Sequence, residues 1–163
     1  MSVEFSAAAR KKFDEIVNQY PQRQAAMLPV LYLAEKEFGH VSPDVEVYVA
    51  SLLQVPPVKV HEVMTFYTLI ASKPRGKYHF QVCRGLSCDL GGCQNILKHL
   101  SEKLGITSGV TSADFKFTIT EVECLASCET APMMQLNDDY IDALTEKKID
   151  EIVEKLKNGK VMK

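Results

Sequence analysis

The sequence predicts an α+β fold in two parts, a small helical bundle over residues 1–72 and a sheet domain over residues 73–163. Three observations predict it. The first half carries apolar residues at helical spacing, punctuated by Ser, Pro and Gly where four short helices would start and stop. The second half alternates strand-like and amphipathic segments in the order β–α–β–β–β–α. Four of the five cysteines form two close pairs, Cys83/Cys88 and Cys124/Cys128, each after a strand-like segment.

In the first half, Ser6 is a suitable N-cap for a helix whose apolar residues Phe13, Ile16, Val17 and Tyr20 recur until Pro21. A second helix is expected over about 22–38, with Gly39 just past its end. Pro29 inside that span predicts a kink or a late start. Ser42-Pro43 reads as N-cap and first helical residue of a third helix, to about residue 54. Pro56-Pro57 closes it and opens a fourth, to about residue 70. Short helices with short connections make a bundle. Along the fourth helix, Val58, Val60, Val63, Met64, Phe66, Tyr67, Leu69 and Ile70 cover an arc of roughly 240° at ~100° per residue, where a surface helix needs little more than ~100°. The helix is either central to its own domain or packs part of this arc against something further.

Residues 71–76, with Pro74 and Gly76, read as a linker. A strand over 77–83 alternates Tyr78, Phe80 and Val82 with His79 and Gln81. Gly91-Gly92 is expected as a turn before an amphipathic helix over 93–104, with Ile96, Leu97, Leu100 and Leu104 on one face. Phe115, Phe117, Ile119 and Val122 mark a strand over 115–123, and 133–136 with 140–143 form a hairpin around Asn137-Asp138-Asp139. Ile149, Ile152, Val153 and Leu156 mark the last helix, and the charged run 146–160 is its solvated face. A β–α–β unit joins parallel strands, which end at the same edge of a sheet, so both cysteine pairs should meet there.

The bounds on function are simple. A chain of 163 residues suits one domain or two small ones, and 46% hydrophobic with 25% charged residues is ordinary for a globular protein. A net charge of −2 gives no reason to expect nucleic acid. No apolar run approaches the ~18 residues of a membrane span. Ala7-Ala8-Ala9 has no apolar region before it, so no signal peptide is expected. Reduced thiols without an export signal suggest the cytoplasm. There is no G-x-G-x-x-G fingerprint, so the chain is expected neither to bind nor to oxidise a dinucleotide.

Four thiolates at one sheet edge suit zinc or an iron–sulfur cluster. Spacing alone leaves zinc open, but a two-iron cluster takes two thiolates per iron, which two separate pairs supply. No His follows a Cys at the short spacing of a Rieske centre, and the first run, Cys83, Cys88, Cys93, departs from the plant-type C-x₄-C-x₂-C. No C-x-x-C redox pair is present. Cys93 is expected to be a buried small hydrophobe rather than a ligand. His40, His61, His79 and His99 have no ligand-like neighbours in sequence and are expected as surface or capping residues.

The chain resembles the thioredoxin-like [2Fe–2S] subunit of respiratory NADH dehydrogenase, complex I. The resemblance is carried by the C-x₄-C of Cys83 and Cys88, and by Cys124-Leu125-Ala126-Ser127-Cys128, close to the family's C-L-G-A-C, with Ala131-Pro132 after it. Thr65-Phe66-Tyr67 matches the family's T-F-Y, residues 26–31 its A-x-L-P-x-L, and Asn137-Asp138-Asp139-Tyr140 its N-D-x-Y. Ala126 stands where the family commonly has Gly, which bears on backbone freedom there.

That resemblance implies a thioredoxin-like ferredoxin domain holding one [2Fe–2S] cluster on Cys83, Cys88, Cys124 and Cys128. It implies a larger flavoprotein partner carrying FMN and the NADH site, gripped by the helical domain, in a complex peripheral to the inner membrane. Related subunits serve NAD-linked hydrogenases and formate dehydrogenases. The N–H groups of Gly85, Leu86 and Ala126 and the Ser127 hydroxyl are the expected donors to sulfur, and Arg84 would raise the potential if aimed at the cluster. Two other classes compete: a free-standing ferredoxin, which would not need the helical domain, and a zinc-stabilised interaction module, which would be colourless.

Overall fold

The computed structural model describes residues 3–159 and divides into two compact units, Met1–Pro74 and Arg75–Lys163. The first is helical. Helix α1 (Ala7–Val17) starts at Ser6, whose hydroxyl accepts from the Ala9 N–H at 3.2 Å. A 3₁₀ turn over Arg23–Ala26 precedes α2 (Met27–Phe38). Pro29 thus falls in the first turn of α2, where a missing N–H costs nothing, so the helix starts late rather than kinking. Helix α3 (Pro43–Leu53) is capped by Ser42, and α4 (Pro57–Phe66) follows Pro56.

The expected continuation of α4 to residue 70 does not occur. Tyr67 is extended (φ −91°, ψ 90°), and the chain turns back towards the end of α2. There the Ala71 N–H donates to Glu35 Oε1 at 2.8 Å and its carbonyl accepts from the Val41 N–H at 2.7 Å. Those two bonds, with Ile70 buried in the bundle, stabilise the break. The core gathers Phe13, Val30, Leu31, Val49, Leu53, Val60 and Met64. Val63 packs partly against this core, whereas Val58, Phe66, Tyr67 and Leu69 of the apolar arc are exposed. A role in its own core therefore accounts for only part of this helix's apolar surface.

The second unit is a four-stranded sheet in the order β2-β1-β3-β4, from β1 (Tyr78–Cys83), β2 (Phe117–Val122), β3 (Met134–Leu136) and β4 (Asp139–Ile141). Strands β1 and β2 are parallel, in register from Tyr78 opposite Phe117 to Cys83 opposite Val122. The other pairings are antiparallel. Between β1 and β2 lie a short helix α5 (Leu86–Leu90), which no periodicity announces, and α6 (Cys93–Leu104). Helix α7 (Glu146–Lys157) follows β4. Ile96 and Leu100 of α6 and Ile149, Ile152, Val153 and Leu156 of α7 join Phe80, Val82 and Ile119 in one core. Lys160, at the end of the charged run, lies outside the described residues.

Two expectations are corrected here. Phe115 is not in a strand: it is exposed with φ 52°. The Ser112 hydroxyl captures the N–H groups of Lys116 and Phe117 at 3.2 and 2.9 Å, which holds a turn until Phe117. His79 is not on the surface but 6% exposed, and Gln81 is buried with it. Alternation predicts a half-buried strand, whereas β1 is central and buried along its whole length. Its polar side chains find partners: His79 Nε2 meets Thr120 Oγ1 at 2.7 Å and Gln81 Nε2 donates to the Asn137 carbonyl at 3.2 Å. Among the described residues no helix is long and apolar enough to cross a membrane.

Candidate metal centre

Parallel pairing delivers the two cysteine loops to one sheet edge. Cys83 is the last residue of β1, and the Arg84 N–H donates to the Val122 carbonyl at 2.9 Å, which ties the first loop to the end of β2. The chain then turns through Gly85 into α5, whose Cys88 is buried while Leu86 and Leu90 are exposed. The second loop passes directly over Gly85. A Cβ there would stand 3.1 Å from the Cys124 Cβ and 3.5 Å from its sulfur, so the loops meet closely enough that a side chain at this position would have to push Cys124 aside by a few tenths of an ångström.

The second pair stands at ligand spacing. The Cys124 and Cys128 sulfurs lie 3.5 Å apart. Two thiolates on one tetrahedral ion stand roughly 3.7 Å apart, for a metal–sulfur bond of ~2.3 Å. The Cys124–Cys128 separation is close to that of two ligands on one ion.

Burial divides the set. Cys83 and Cys88 are buried, and Cys124 and Cys128 are exposed. Burial pushes the Cys88 thiol up to about 11, opposed by a backbone hydrogen bond from Met133. The Cys124 thiol is lowered, first by the Ala126 N–H, which donates to its sulfur at 3.3 Å, then by Cys128. Cys128 is raised by the same Cys124 contact and eased by a hydrogen bond from Ser87. The Gly85 N–H lies 3.4 Å from the Cys83 sulfur. Cys93, buried at the start of α6, is raised by burial and then by Asp89.

The expected donors are realised unequally. Gly85 and Ala126 donate to sulfur, whereas the Ser127 hydroxyl lies 3.1 Å from Asp142 Oδ1 and donates there. Ser87, which no spacing singled out, takes the contact with Cys128. Arg84 pairs with the exposed Glu123 carboxylate through Nε at 2.9 Å and through Nη2, so its positive charge is offset rather than presented alone to sulfur. Two of the remaining histidines fit bland roles: His61 meets Glu46 at 2.9 Å and His99 meets Asp150 at 2.8 Å.

Comparison with known proteins gives a consistent picture. The thioredoxin-like [2Fe-2S] ferredoxin family matches residues 13–157. The E subunit of NADH-quinone oxidoreductase from Rickettsia conorii is 43% identical over 148 residues, covering 89% of each chain. A second form of the E subunit of that enzyme, from Rhizobium meliloti, is 42% identical over 145 residues, covering 89% of this chain and 86% of the relative. Among solved structures, an NAD+-reducing [NiFe]-hydrogenase in the air-oxidized state aligns with a TM-score of 0.72 at 20% identity, over 85% of this chain and 24% of that one. That likeness is one of fold.

Proposed function

Because the chain belongs to the thioredoxin-like [2Fe-2S] ferredoxin family, we propose that it is the electron-transfer subunit of an NADH-quinone oxidoreductase, with its cluster on Cys83, Cys88, Cys124 and Cys128. The observation that carries the reading is the meeting of the two cysteine loops at the ends of two adjacent parallel strands, with Gly85 against Cys124 and the Cys124 and Cys128 sulfurs 3.5 Å apart.

A [2Fe–2S] cluster held by four thiolates supplies storage for one electron and leaves no open position for bond-breaking chemistry. The residues of this chain do the rest. The N–H groups of Gly85 and Ala126 and the backbone of Met133 stabilise negative charge on sulfur. The buried pair, Cys83 and Cys88, shields one side from water, and the exposed pair, Cys124 and Cys128, turns the other towards a partner. That partner is a flavoprotein bearing FMN and the NADH site, gripped by the helical unit at the cytoplasmic face of the inner membrane. The chain alone oxidises no NADH.

The equivalent component of an NAD-linked hydrogenase is the second reading, favoured by the fold likeness, while the identity to the quinone-reducing relatives favours the first. The test is to purify the chain without oxygen, count iron and sulfide, reconstitute it with the flavoprotein from its own cell, add NADH and follow the cluster by EPR at low temperature. About two irons and two sulfides are expected, with a signal that needs the flavoprotein. Stoichiometric zinc without sulfide, or NADH oxidation by the isolated chain, would overturn the reading.

A further inference from the structure

The second cysteine loop leaves the sheet at Val122 and runs without a strand partner until a 3₁₀ turn at Cys128–Thr130. Its position is set by contacts from β4 and from the segment that joins it to α7. The Tyr140 hydroxyl donates to the Leu125 carbonyl at 2.8 Å. Asp142 Oδ1 accepts from the Ser127 hydroxyl at 3.1 Å and from the Thr130 hydroxyl at 2.7 Å. The Ala143 N–H donates to the Thr130 carbonyl at 2.7 Å. These four bonds bracket Cys128 on both sides.

Asp142 is the hub of this brace. The Thr130 hydroxyl has other oxygens within reach, the Ser127 carbonyl at 3.1 Å and the Ser127 hydroxyl at 3.0 Å, but the carboxylate is both nearer and charged. Both hydroxyl protons therefore go to Asp142, and neither is offered to sulfur. The carboxylate is half-buried, and its backbone is anchored in turn. Its carbonyl accepts from Lys148 Nζ, and the Leu144 N–H two residues on donates to the Pro132 carbonyl at 2.8 Å.

We propose that Asp142 is a positioning residue for the cluster: by holding Ser127 and Thr130 it fixes where the Cys128 sulfur stands relative to Cys124 and keeps the Ser127 proton on oxygen. This rests on the reading that the four paired cysteines hold the cluster. Outer partners of metal ligands are commonly worth about 10–100-fold in metal retention.

The experiment uses the full chain with its cluster. D142N should bleach about tenfold faster than the wild type under a chelator and should alter the g-values of the reduced cluster. S127A/T130V should do the same, whereas T130S, which keeps both hydroxyls, should show the wild-type rate and spectrum. Adding D142N to S127A/T130V should change little further, because the carboxylate acts through those hydroxyls. Amide exchange across residues 125–130 should rise in both D142N and S127A/T130V. Wild-type bleaching, spectrum and exchange in D142N would overturn the assignment. So would a D142N effect that persists undiminished in S127A/T130V, since that is a direct effect of charge. A wild-type chain without iron and sulfide overturns the cluster reading and this role with it, whereas an unaltered holo D142N overturns the role alone.

Discussion

The Ala126 N–H donates to the Cys124 sulfur at 3.3 Å from a left-handed backbone, φ 64°. An L-residue pays about 1 kcal/mol or more there, and glycine does not. A126G should keep the donor and the cluster spectrum while raising stability by up to about 1 kcal/mol, less the extra freedom glycine gains in the unfolded chain. A126P removes the N–H and cannot take this φ, so it should lose the cluster. Thermal melting and EPR of the two variants check both outcomes.

Pairing in the sequence separates four cysteines, Cys83/Cys88 and Cys124/Cys128, from the fifth. Cys→Ser at 83, 88, 124 or 128 should lose or badly perturb the cluster, measured as iron, sulfide and visible absorbance. Cys93→Ala should keep two irons and two sulfides and cost about 1 kcal/mol of packing, because its side chain is buried in the core at the start of α6. A bleached Cys93→Ala beside a coloured Cys88→Ala would reassign the ligands.

His79 should make stability depend on pH. Burial, and then the nearby Arg75 charge, lowers its folded pKa to about 4. The unfolded chain binds this proton below about 6.5, the folded chain only below about 4. Its contribution is therefore complete above pH 6.5 and is lost as pH falls to 4, by roughly 3 kcal/mol at most. Denaturant midpoints across that window should slope for the wild type and flatten for His79→Gln.

Phe66 and Tyr67 stack edge to face at 5.1 Å, with exposures of 77% and 39%. Charged replacements at both should change the stability of the helical unit by less than about 1 kcal/mol. They should weaken the complex with the flavoprotein partner proposed above at least about tenfold, as loss of an aromatic anchor does. Circular dichroism of the free variant and titration calorimetry with the partner separate the two effects, and a melted bundle with an intact complex would refute the assignment.

The sequence by itself determined the fold class. Helical spacing with Ser6 and Ser42 as caps, strand alternation, and amphipathic stripes on α6 and α7 are local patterns, and local backbone preference suffices to read them. It also brought the cysteine pairs to one edge, because a β–α–β unit makes its strands parallel. Tertiary structure decided what depends on partners distant in sequence. Arg84 meets Glu123, 39 residues away, and Ser127 meets Asp142, 15 away, so neither charge nor hydroxyl does what its loop alone suggests. Helix α4 stops at Phe66 because Glu35 and Val41 bind Ala71. His79 is buried because β1 lies between β2 and β3. Periodicity records which face of an element is apolar. Only packing decides whether the other face is also covered, and which distant group answers each polar atom there.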